Sequence, residues 1–142
     1  MLSRDDYLRE WSRLHGGIDP RGNRLVLGWL SMVYAVGGRV VRFPLSPNGI
    51  TALGVLVAAL AVVVGTAGGW WLLVAAVLVG AVGLLDSLDG AVAVLTGRVT
   101  RLGALLDKVA DRVGDALFVA VLWVAGAPLW LCAAGLVAAY LV

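Results

Sequence analysis

Charge is missing from two long stretches of this 142-residue chain: no Asp, Glu, Lys or Arg occurs from Phe43 through Leu85, nor from Ala116 through Val142. With 61% hydrophobic residues, 14% charged residues and a mean hydropathy of +0.97, that distribution excludes an ordinary soluble domain, and the length leaves room for one folding unit. A membrane span takes about 20 residues, so the first run can hold two helices and the second most of two more. Cysteine is nearly absent. Cys132, in the apolar segment "WLCAAGL", has neither a disulfide partner nor a second thiolate for a metal site, and is expected to pack. There is no separate basic domain either. The net charge of +2 and pI of about 9.1 come from residues flanking apolar runs, which points to an anionic lipid surface and away from nucleic acid.

The first 45 residues read as cytoplasmic or interfacial amphipathic helices. Ser3 followed by Asp6 is a capping-box pattern, after which Tyr7, Trp11 and Leu14 recur at helical spacing until Gly16-Gly17 ends the helix. His15 at its end is expected to be solvated. The run Leu25 to Val36, bracketed by Arg24 and by Gly37-Gly38-Arg39, is too short to span and is expected to lie in the interface. It begins late for a signal-peptide core and lacks a cleavage pattern ahead of a soluble domain.

Residues 46–142 form the expected transmembrane bundle. Span one starts behind Ser46 as cap and Pro47 at the first helical position, and ends at "GTAGG". Span two begins at Trp70-Trp71, where an interfacial indole belt belongs, and runs to about Leu95. Span three begins near Gly103 and ends at Gly126 to Pro128, and a fourth starts at Leu129. Trp70, Trp71, Trp123 and Trp130 are expected as interface anchors. Arg4, Arg9, Arg13, Arg21, Arg24, Arg39 and Arg42 precede span one, Arg98 and Arg101 lie between spans two and three, and the turns "GTAGG" and "GAP" have no charge. Both basic regions are therefore expected to face the cytoplasm.

What the chain does have is a concentration of acid. Asp86, Asp89, Asp107, Asp111 and Asp115 fall within thirty residues, at the cytoplasmic ends of spans two and three. Residues three apart on a helix are offset by about 60°, and residues four apart by about 40°. Asp86 and Asp89 thus share one face, and Asp107, Asp111 and Asp115 another. A short loop joins the two spans, so a packed hairpin with the acidic faces turned toward each other is expected. An aspartate facing lipid would instead cost about 2.5–3.5 kcal/mol near mid-membrane. Like charges so close require a counter-charge. Lys108 and Arg112 sit off the stripe. A pair of divalent cations answers the need, and hard oxygen ligands select Mg²⁺, Mn²⁺ or Ca²⁺ over zinc or copper. Gly90, Ala91, Ala93, Gly97 and Gly103 strip bulk from the backbone beside the carboxylates, making room for a nucleotide or pyrophosphate. Asp115 lies beyond this set, and pairing with Arg112 is an equal expectation for it.

The pattern resembles the CDP-alcohol phosphotransferase family, whose signature is D-x-x-D-G-x-x-A-R-x8-G-x-x-x-D-x-x-x-D. Asp86, Asp89, Gly90, Ala93, Gly103, Asp107 and Asp111 fall in register, and Val94 stands where the signature has arginine. "SPNGIT" is similar to the family's T-P-x-x-x-T at the head of its first span, and "TRLGALLDKVADRVGD" resembles actinobacterial phosphatidylinositol-phosphate synthases. The resemblance implies an all-α polytopic bundle of six spans, of which this chain would be a shortened form. It also implies transfer of a phosphatidyl group from a CDP-alcohol such as CDP-diacylglycerol to an acceptor hydroxyl, with release of CMP, in the cell inner membrane by a homodimer. Asp86, Asp89, Asp107 and Asp111 would hold two Mg²⁺ or Mn²⁺ ions, with Asp111 also the base. Asn48, Gly49, Ile50, Thr51, Gly90, Ala93, Thr100 and Gly103 would line the nucleotide site. Arg98, one turn beyond Val94, is the candidate phosphate contact. Two alternatives stay open: an intramembrane prenyltransferase, because "DKVAD" matches a magnesium-pyrophosphate motif, and a non-catalytic relative.

Overall fold

The structure, a computed structural model, describes residues 2–141; Met1 and Val142, the last residue of the expected bundle, lie outside them. Among the described residues there are six α-helices, one 3₁₀ turn (Pro20–Gly22) and no strand. The helices are α1 (Arg4–Leu14), α2 (Arg24–Val40), α3 (Pro47–Gly65), α4 (Trp71–Thr96), α5 (Arg101–Val124) and α6 (Leu129–Leu141). The expected all-α bundle is the observed architecture.

Helix starts follow their caps. The Ser3 hydroxyl accepts from the Asp6 amide at 3.1 Å, and the Asn23 side chain accepts from Leu25 and Val26 to start α2. Ser46 accepts from the Gly49 amide at 3.1 Å, with Pro47 next in line as expected. Thr100 accepts from the Gly103 amide at 3.0 Å, which brings the start of α5 to Arg101, two residues ahead of the expected Gly103. Helix α4 ends at Gly97, whose φ of +65° allows the Arg98 amide to reach back to the Ala93 carbonyl at 2.9 Å.

Helix α2 is longer than its apolar run. It continues through Gly37 and Gly38, both buried, to Val40. A Cβ on Gly37 would stand 3.4 Å from Leu95, 3.6 Å from Ala91 and 3.9 Å from Leu88. Gly37 thus faces α4, and neither glycine breaks the helix. Tyr7, Leu8, Leu30, Val33, Leu88, Val92 and Val94 join α1, α2 and the end of α4 in one core. Tyr7 and Leu8 are 2% exposed, so α1 docks by its apolar face; burial pushes the Tyr7 phenol up to about 12. The opposite face of α1 carries the Arg9–Asp6 and Arg13–Glu10 pairs. His15 is exposed, with Nδ1 2.8 Å from the Trp11 carbonyl and its ring stacked on Trp11.

Two helices, α3 and α4, are long and apolar enough to cross a membrane. Helix α5 has the length, but charges recur from Arg101 to Asp115, and α6 is a shorter apolar helix of 13 residues. The four tryptophans expected as anchors are all exposed, with Trp70 and Trp71 stacked at 4.0 Å. Cys132 is buried, as expected of a packing residue.

The arrangement of α4 and α5 corrects the expected hairpin. Both pack along α3, and they make little contact with each other. Buried Gly54, Ala58, Ala61 and Gly65 give α3 a face without bulk, against which neighbouring backbones can settle closely. Helix α3 is a wedge, and the space it holds open between α4 and α5 is where the carboxylates lie.

Candidate functional site

Across that opening, one carboxylate oxygen each from Asp86, Asp107 and Asp111 lie within 4.8 Å of one another. Asp86 comes from α4, and Asp107 and Asp111 come from successive turns of α5. No Lys or Arg among the described residues forms an ion pair with any of the three. Three convergent oxygen donors without a basic partner are a donor set of the kind hard divalent cations take.

Asp89 belongs to the same acidic face of α4 but is held differently. It is 5% exposed, the one buried charged side chain among the described residues, and it accepts a hydrogen bond from the Thr51 hydroxyl of α3 at 2.5 Å. Asp115 stands apart. Arg112 donates to it at 3.1 Å and to the Ala139 carbonyl of α6 at 2.8 Å, and the guanidinium lies over the Tyr140 ring, 5.3 Å from its centroid. The structure thus gives Asp115 a partner in the arginine three residues before it.

Two cavities meet at this point. The larger, about 500 Å³, includes Asp86, Asp111 and Asp115 and extends along Gly54, Val55, Ala58, Val82 and Phe118. The smaller, about 130 Å³, is bounded by Asn48, Gly90, Ala93, Arg98, Thr100, Gly103 and Asp107, with Leu14 from the end of α1. Thr51 and Asp89 line both. Gly90 leaves this space open, since a Cβ there would meet nothing within 4 Å. Gly103 is closely hemmed in: a Cβ would come 3.0 Å from the Thr100 hydroxyl and 3.4 Å from the Asn48 side-chain oxygen.

Most residues expected to line the nucleotide site therefore do surround one cavity. Two stand elsewhere. Ile50 is 3% exposed and sits in the core with Tyr7 and Leu88, and Gly49 is occupied with the Ser46 cap. Val94, at the signature's arginine position, lines the small cavity but is 8% exposed and packed into the same core as Tyr7 and Leu8. Arg98 is exposed at the mouth of that cavity. Sequence reasoning missed two features, the Thr51–Asp89 bond and the presence of Leu14. Both join residues far apart in the chain, and local spacing carries no signal for either.

Residues 44–142 match the family described as CDP-alcohol phosphatidyltransferase. An archaetidylinositol phosphate synthase of Aeropyrum pernix is 56% identical over 43 residues, which are 30% of this chain and 22% of that relative. The chain thus aligns with well under two thirds of the relative's length. No solved structure matches it.

Proposed function

The chain belongs to the CDP-alcohol phosphatidyltransferase family, and on that premise we propose that it transfers a phosphatidyl group from a CDP-alcohol such as CDP-diacylglycerol to the hydroxyl of a small polar acceptor. The acceptor oxygen forms a bond to the phosphorus bearing the lipid, the bond from that phosphorus to the CMP oxygen breaks, and CMP leaves. The observation that carries this reading is the convergence of Asp86, Asp107 and Asp111 within 4.8 Å, inside the family's own motif. The family match also favours this transfer over prenyl transfer.

In this reading Asp86, Asp89, Asp107 and Asp111 would hold two Mg²⁺ or Mn²⁺ ions. When bound, such ions neutralise a diphosphate and the phosphate that departs from it. Asp111 takes the proton from the acceptor hydroxyl. Asn48, Thr51, Gly90, Ala93, Thr100 and Gly103 receive the nucleotide in the small cavity. Arg98, at that cavity's mouth, contacts donor phosphate in place of the arginine that Val94 displaces. The larger cavity, open along apolar α3 and α4, suits the lipid part of the donor.

We further propose that residues 46–142 span the cell inner membrane several times, as a homodimer, with residues 1–45 and the acidic site on the cytoplasmic side. Outward-facing Leu56, Leu60, Val63, Leu73 and Val77 on α3 and α4 support burial in lipid. The test is incubation of the purified chain with Mn²⁺, CDP-diacylglycerol and, in separate arms, inositol phosphate, glycerol phosphate or serine. The expected result is CMP release that depends on one acceptor, with Arg98→Ala raising the donor KM by about tenfold, as loss of one charge-assisted contact would. Donor binding without CMP release in any arm would mark a non-catalytic relative, and an unchanged KM would remove Arg98 from the site.

A further inference from the structure

We propose that Thr51 is a positioning residue, whose hydroxyl fixes the Asp89 carboxylate at the boundary between the two cavities so that it is presented for a divalent cation. This deepens the reading of the acidic site given above and rests on it. Asp89 differs from the other three aspartates in respects that matter for orientation. It lies outside the group whose oxygens converge within 4.8 Å and it is 5% exposed, while sharing with them the lack of a basic partner among the described residues. A carboxylate offers about four lone-pair sites. The side-chain donor on this one is Thr51, and a hydroxyl bound to a charged oxygen makes one of the stronger kinds of hydrogen bond.

The hydroxyl has one proton and two acceptors in reach, Asp89 at 2.5 Å and the Pro47 carbonyl at 3.2 Å. The nearer, charged oxygen takes it. Thr51 is itself firmly placed. It lies in the first turns of α3, behind the Ser46 cap and Pro47, and its neighbour Ile50 is sealed in the core. Thr51 and Asp89 line both cavities, so the direction of this carboxylate decides what stands between the nucleotide side and the acidic cluster. With valine at position 51 the shape is kept and the donor is lost, which leaves Asp89 free to turn.

The test is calorimetric titration of Mn²⁺ into the purified full chain, as wild type, Thr51→Val, Thr51→Ser, Asp89→Asn and the Thr51→Val/Asp89→Asn pair. Removing a partner that orients a metal ligand weakens metal binding by about 10–100-fold. Thr51→Val is expected to show that loss, and Thr51→Ser, which keeps the hydroxyl, to stay within about threefold of wild type, a small fraction of the same effect. In the Asp89→Asn background Thr51→Val is expected to cost nothing further, because its effect passes through the carboxylate. Undiminished Mn²⁺ binding by Thr51→Val, equal loss in Thr51→Ser, or a full additional loss in the double variant would each overturn the proposal. Absence of Mn²⁺ uptake by the wild type would overturn the cation-binding reading beneath it, an outcome distinct from the other three.

Discussion

At the scale of single residues, five neighbouring aspartates, four of them in one motif, occupy three different situations. Asp86, Asp107 and Asp111 converge without a basic partner, Asp89 is buried under a threonine hydroxyl, and Asp115, one turn beyond the motif, is paired with Arg112. Helical spacing was enough to place the acids on common faces, because that depends only on residues three and four apart. It could not identify Thr51, which is 38 positions from Asp89. Nor could it separate Ile50 from Asn48, since neighbours in one helical turn point in different directions, one into the core and one toward the cavity. Gly90 gives a prediction at this scale. It lies inside α4 with open space where a Cβ would go, so alanine there gains about 0.5–1 kcal/mol of helix stability. The added methyl also enters the small cavity that Gly90 lines. Gly90→Ala is expected to raise the thermal unfolding temperature while weakening binding of CDP-diacylglycerol; a stabilised variant that binds the donor undiminished would place the nucleotide elsewhere.

At the scale of helices, boundaries followed the chemistry of their ends. Ser46-Pro47 starts α3 as the sequence suggests, and Gly97 ends α4 close to the expected Leu95, because caps and a left-handed glycine act locally. Helix α2 ran past two glycines that read as a stop, and the reason is tertiary: both are buried, and Gly37 faces Leu88, Ala91 and Leu95 of α4. The relation of α4 to α5 was likewise out of reach of loop length. A short loop brings two helix ends together but does not make the helices pack, and α3 takes the position between them. Docking of α1 matters to the site, since its core residues share a cluster with Val94 and its last residue, Leu14, touches the small cavity. Leu8→Ala removes a side chain that is 2% exposed and is expected to cost about 2–5 kcal/mol. Hydrogen exchange should show α1 released and the end of α4 less protected; unchanged protection in both would mean that α1 does not brace the site.

At the scale of the whole molecule, the division of the chain is one of charge. Arginines gather before α3 and in the α4–α5 loop, apolar surface covers α3 and most of α4, and the acids sit where the two regions meet. That distribution was open to reading from the sequence, because exclusion of charge from lipid acts on every residue of a span. A wedge helix then converts two acidic faces, which would repel if packed directly, into the walls of a cleft. The cleft has meaning only if cations fill it. The most direct measurement is electron paramagnetic resonance of the purified chain titrated with Mn²⁺. The expected result is two ions per chain with the coupled spectrum of a pair about 3.5–4 Å apart, abolished by Asp86→Asn or Asp107→Asn. No uptake, or uptake indifferent to both substitutions, would contradict a site built around divalent cations.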